Sequence, residues 1–79
     1  MGKVIQLQVV EGNQGVSGQK VTMSGSGTDF ITNADGCVSL LLDDGTVAIQ
    51  INNVVAYNGA SGSLKAKERF SKDGQRLAA

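Results

Sequence analysis

Apolar and polar residues alternate with a period of two along most of the chain, the spacing of strands with one dry and one wet face. Ile5, Leu7 and Val9 alternate with Gln6 and Gln8 and predict a first strand over Val4–Val10. Glu11 to Gly18 holds three glycines with Asn13, Gln14 and Ser17 and reads as a turn or loop. Val21 and Met23 flank Thr22 in a second strand, Ser24–Gly27 is a Gly/Ser break, and Asp29–Thr32 carries Phe30 and Ile31 in a short third strand. Asn33-Ala34-Asp35-Gly36 has the residues of a tight hairpin turn.

Cys37–Leu42 follows with Val38, Leu40 and Leu42 on one face and Leu41 on the other, which implies partial cover on that second side. After the acidic turn Asp43-Asp44-Gly45, the run Val47, Ala48, Ile49, Ile51 is the most β-prone of the chain. Asn52-Asn53 suits a two-residue hairpin turn, Val54–Tyr57 is the returning strand, and Asn58-Gly59 reads as the next turn. The last segment has two readings. As a strand it places Leu64, Ala66, Glu68 and Phe70 on one face and Lys65, Lys67 and Arg69 on the other; as a helix it is capped by Ser63, with Lys65/Arg69 and Ala66/Phe70 one turn apart. The strand has the cleaner alternation, and Lys72-Asp73-Gly74 then forms a further hairpin turn. The pattern predicts an all-β chain: a small antiparallel β-sandwich of six to seven short strands, prealbumin-like or immunoglobulin-like, with residues 1–79 as one domain.

Length and charge narrow the picture. With 79 residues the chain holds one modest core. Its formal charge is zero but uneven: residues 1–59 set two cations against five carboxylates, a local −3, and residues 60–79 set five cations against two, a local +3. Lys65, Lys67 and Arg69 are therefore candidate contacts for an acidic partner, with Phe70 beside them as a candidate contact. The ordinary reading of the same residues is a solvated strand protected from aggregation by lysine. A single cysteine, Cys37, rules out an intramolecular disulfide and favours the cytoplasm at synthesis. The N-terminal residues show no apolar signal segment, and no apolar run approaches a membrane span. Export is expected only as cargo of a machine or as part of a particle.

The stretch from Glu11 to Ile51 carries a set of turn and strand residues: Gly15-Val16-Ser17-Gly18-Gln19-Lys20-Val21-Thr22-Met23, Thr32-Asn33-Ala34-Asp35-Gly36-Cys37-Val38-Ser39-Leu40, and Leu42-Asp43-Asp44-Gly45-Thr46-Val47-Ala48-Ile49. It resembles the carboxypeptidase regulatory-like domain of the transthyretin-like (prealbumin-like) sandwich group over about half of the chain. It departs from that pattern at Val16-Ser17-Gly18, where the family has Ala-Gly-Ala or Pro, and at Cys37-Val38, where an aromatic often follows the turn. The resemblance implies a sandwich used for structure, adhesion or docking. A chain of this size beginning with its own Met is similar to bacterial or phage accessory proteins.

Candidate chemistry is sparse. The chain has no histidine, which removes the commonest general base near neutral pH, the usual metal ligand and the usual triad partner. The histidine-dependent hydrolysis known in one branch of the transthyretin-like group is thereby excluded. Cys37 has no base beside it in sequence and reads as a small core or edge residue. Asp29, Asp35, Asp43 and Asp44 would cluster only if both acidic turns lay at one end of the sandwich, and their spacing matches no EF-hand loop. Gly25-x-Gly27 lacks the Lys-Ser/Thr of a phosphate loop. Leu77-Ala78-Ala79 resembles an ending read by bacterial unfoldase–protease systems, against the default of a frayed terminus.

No cofactor or metal is expected. The expected function is a non-catalytic protein-interaction or assembly module, of the accessory kind found in phage particles, secretion machines and mobile elements, binding a protein partner or itself by strand pairing at Val4–Val10 or Lys65–Arg69. The alternatives are a small inhibitor of a host enzyme or defence complex, and single-stranded nucleic acid binding through the basic C-terminal segment. The last is the weaker, since Phe30, Tyr57 and Phe70 are the only aromatics.

Overall fold

The computed structural model describes residues 2–24 and 28–77; most of the Ser24–Gly27 break and the Ala78-Ala79 ending lie outside the described residues. The described chain is an all-β sandwich. Its strands are β1 (Lys3–Glu11), β2 (Gln14–Gly15), β3 (Lys20–Met23), β4 (Phe30–Ile31), β5 (Cys37–Leu42), β6 (Thr46–Ile51), β7 (Val54–Ala60), β8 (Lys67–Ser71) and β9 (Arg76–Leu77), with one 3₁₀ turn at Ser61–Ser63. Six of these strands are longer than two residues and correspond to the six to seven expected. The alternation of the sequence is the reason: Ile5, Leu7, Val9, Val38, Leu40, Leu42, Val47, Ile49 and Ile51 all point into one core.

One sheet places β1 at its centre, flanked by β5 and β2 on one side and by β8, then β9, on the other; the second sheet runs β4-β3-β6-β7. The first is mixed, because β1 and β8 are parallel, with Gln6 opposite Lys67 and Gln8 opposite Arg69. This corrects the expected edges. Val4–Val10 is the central strand and offers no free edge, and β8 is covered by β1 on one side and, at Arg69 and Phe70, by β9 on the other. Among the described residues, β5 pairs only with β1.

The hairpin expected at Asn33–Gly36 is a crossing between sheets instead, and so is the acidic turn Asp43–Gly45. Asn33–Gly36 carries the chain from β4 in one sheet to β5 in the other, and Asp43–Gly45 returns it to β6. Turn chemistry is local: it bends the chain but does not choose the next partner. The two acidic turns therefore sit at opposite ends of β5. Asn58-Gly59 is likewise no turn. It continues β7 opposite Ala48 and Val47, and Gly59 leaves room for the Tyr57 ring, whose hydroxyl donates to the Ala60 carbonyl at 2.6 Å. The Asn52-Asn53 hairpin forms as expected, with φ of 51° and 69°.

The Thr32–Gly36 residues form one junction. Thr32 is buried; its Oγ1 donates to the Val16 carbonyl at 2.7 Å and accepts from the Gln19 amide at 2.9 Å. The Asn33 side chain accepts from the Asp35 and Cys37 amides at 2.9 and 3.1 Å. Gly36 has φ of 81°, and a Cβ there would lie 2.6 Å from both the Val9 carbonyl oxygen and the Val16 nitrogen. We expect Gly36→Ala to combine left-handed strain of about 1–2 kcal/mol with overpacking of about 1–3 kcal/mol. A thermal melt followed by circular dichroism checks it, and an unchanged midpoint would contradict the tight junction.

Candidate functional site

β8 carries alternate residues to opposite environments. Glu68 and Phe70 point into the sandwich and are buried, while Lys67 is exposed and Arg69 half-buried on the outer face. The strand reading of this segment is the observed one. Phe70, expected as a contact, is wholly enclosed among Ile5, Leu7, Val9 and their neighbours and presents no surface to a partner. Its parity with Leu64 and Glu68 was the signal for that position.

Glu68 is a buried charge, only 4% exposed, and its neighbours account for it. Arg76 on β9 grips it from two nitrogens, Nε to Oε1 at 3.1 Å and Nη2 to Oε2 at 2.7 Å, and the Lys65 amide donates to Oε2 at 2.7 Å. The Arg76 guanidinium also lies over the Tyr57 ring at 5.5 Å, which ties β9 to β7 and so one sheet to the other. Burial pushes the Glu68 carboxyl up, but the Arg76 and Lys65 hydrogen bonds and the two positive charges outweigh it and hold it below the ordinary glutamate value. This cluster is internally satisfied and has the character of a structural lock. The sequence reading missed it; a single acid on an otherwise apolar strand face was the available clue.

The outer face of the first sheet is different. Register places Ser39, Gln6 and Lys67 in one row and Cys37, Gln8, Arg69 and Leu77 in the next. Beyond them Val4 and Leu41 are cross-strand partners, 65% and 62% exposed, so Leu41 is not covered as the sequence suggested. The outward positions of these strands carry no carboxylate; Glu68 points inward. Lys20 pairs with Asp29 at 3.8 Å, Lys72 with Glu11, and Arg76 with Glu68, whereas Lys65, Lys67 and Arg69 enter no ion pair among the described residues. Arg69 also leaves its buried Nε–H without an acceptor. Lys65 precedes β8 and is exposed.

Gln6, Gln8, Cys37, Lys67, Glu68 and Arg69 line a shallow groove of about 210 Å³ on this face. Within it Gln8 donates to the Asp35 carbonyl at 2.9 Å, so that side chain is held. The structure thus brings Lys67 and Arg69 together with Gln6, Gln8 and Cys37, which the sequence reading did not connect with them, and separates Phe70 from them. A larger hollow of about 480 Å³ lies at the Met23, Leu41, Leu42, Asp43 and Val47 end, where Asp43 is the only ionisable lining group among the described residues.

Among the described residues no group of three or more His, Cys, Asp or Glu is placed to hold a metal, and no helix is long and apolar enough to cross a membrane. Comparison with family models, with curated proteins and with solved structures finds no match.

Proposed function

We propose that this chain is a non-catalytic protein-interaction or assembly module that docks its partner on the outer face of the β5-β1-β8-β9 sheet. The observation that carries the reading is the side-chain pattern of that face: two cations with no outward-facing carboxylate beside them, a shallow groove whose exposed lining is mostly apolar, and an exposed apolar pair, all on strands whose other side is the core. Such a face combines apolar contact area with charges that steer an acidic partner. A chain with no histidine supports binding rather than catalysis. Kinship with the transthyretin-like group belongs to the same proposal, supported by the two-sheet architecture and by the junction that Thr32 and Gly36 build.

The test is capture of the partner from a lysate of the source cell by immobilised protein. Lys67→Glu with Arg69→Gln should abolish capture while the melting temperature stays within about 2 °C, since outward strand positions contribute little to stability. Capture that survives the paired change would remove this face from the account.

A further inference from the structure

On the docking reading above, we propose that the groove between β1 and β8 takes an extended peptide bearing acidic side chains at alternate positions. Lys67 and Arg69 are two residues apart on one strand and point the same way, so their charges repeat at about 6.6 Å. An extended peptide repeats its same-side residues at that same distance. A peptide lying along β8 therefore offers one carboxylate to each cation when acids occupy positions i and i+2, and only one to the pair when they are adjacent.

The roles differ between the two cations. Arg69 lines the groove and enters no ion pair among the described residues, so the two terminal nitrogens of its guanidinium are the fork for a carboxylate held by two parallel bonds. Lys67 is a point charge and fixes the second carboxylate without demanding its orientation. Gln6, opposite Lys67, has a side chain that makes no hydrogen bond among the described residues and is placed to meet the peptide backbone. The Asp35 turn borders the groove at the Gln8 and Cys37 end, which keeps further acids from extending in that direction.

A nucleic-acid strand has a similar spacing of charges, but its binding draws on rings that stack with bases. All three aromatic rings of the chain are committed elsewhere: Phe70 is buried in the core, Phe30 packs against it, and Tyr57 lies beneath Arg76. The face of Lys67 and Arg69 carries none.

Fluorescence anisotropy tests the proposal with two labelled peptides of equal length and charge, one with glutamates alternating with threonines and one with the glutamates adjacent. An oligothymidine of equal charge is the third probe. The alternating peptide should bind several-fold tighter than the adjacent one, and Arg69→Gln should weaken it roughly tenfold, the scale of one lost charge-assisted hydrogen bond. Equal affinity for both peptides, or tighter binding of oligothymidine, would overturn it. Absence of peptide binding, with partner capture still lost in the Lys67/Arg69 variant, overturns the ligand class while leaving the docking face in place. Absence of both effects overturns the two together.

Discussion

Phe70→Ala should leave the domain barely folded. Phe70 is the largest side chain in the core and has no exposed surface. It comes from β8, the strand that pairs with the central β1, and it packs against residues from both sheets. Truncating a buried phenylalanine costs about 3–5 kcal/mol through lost transfer energy and the cavity left behind. At roughly 0.05–0.15 kcal/mol per residue, a domain this small has only about 4–12 kcal/mol in all. Chemical denaturation followed by circular dichroism should show a midpoint far below that of the wild type. A loss under about 1 kcal/mol would mean that Phe70 is not at the centre of the sandwich.

Arg76→Ala should have the next largest effect, and its pH dependence should identify the cause. The variant leaves the Glu68 carboxylate with the Lys65 amide as its main partner. A fully buried pair broken in this way costs about 3–5 kcal/mol. Here Arg76 is 39% exposed, so water can replace part of it, and about 2–3 kcal/mol is expected. The Glu68 carboxyl is held below its ordinary value in the folded protein. Its contribution is therefore complete above the unfolded glutamate pKa and is lost as pH falls through the depressed folded value. The gap between wild type and Arg76→Ala should be widest near neutrality and narrow on acidification. A second change, Glu68→Gln, should recover part of the loss by removing the stranded charge. A gap that does not vary with pH, or no recovery, would show that Arg76 acts through its packing on Tyr57 instead.

The elements of the fold were legible where one residue in two was apolar. Ile5-x-Leu7-x-Val9 and Val38-x-Leu40-x-Leu42 mark strands and also their inward faces, because a strand with one buried side has no other way to place them. Sheet membership was not legible. Asp35-Gly36 and Asp43-Asp44-Gly45 have hairpin residues, yet the strands they join lie in different sheets, and the parallel pairing of β1 with β8 joins segments about 60 residues apart. Such pairing depends on the whole core and leaves no local trace.

The candidate site divides in the same way. Lys67 and Arg69 stood out by charge, and the strand parity of that segment set them apart from Phe70. Their companions Gln6, Gln8 and Cys37 come from β1 and β5, and only the sheet register brings them alongside. The Glu68–Arg76 lock was hidden because its partners are eight residues apart, across the Lys72–Gly74 turn.

On the proposed function, the partner sits over the strand face that holds Lys67 and Arg69. Cys37, the sole thiol of the chain, lines that groove and is half-buried, so it reports on the face without any added label. The most direct measurement is the rate at which iodoacetamide alkylates Cys37 on immobilised protein, before and after the partner is captured. A marked slowing on capture is the expected result. An unchanged rate with the partner fully bound would place the partner elsewhere on the molecule and contradict the account.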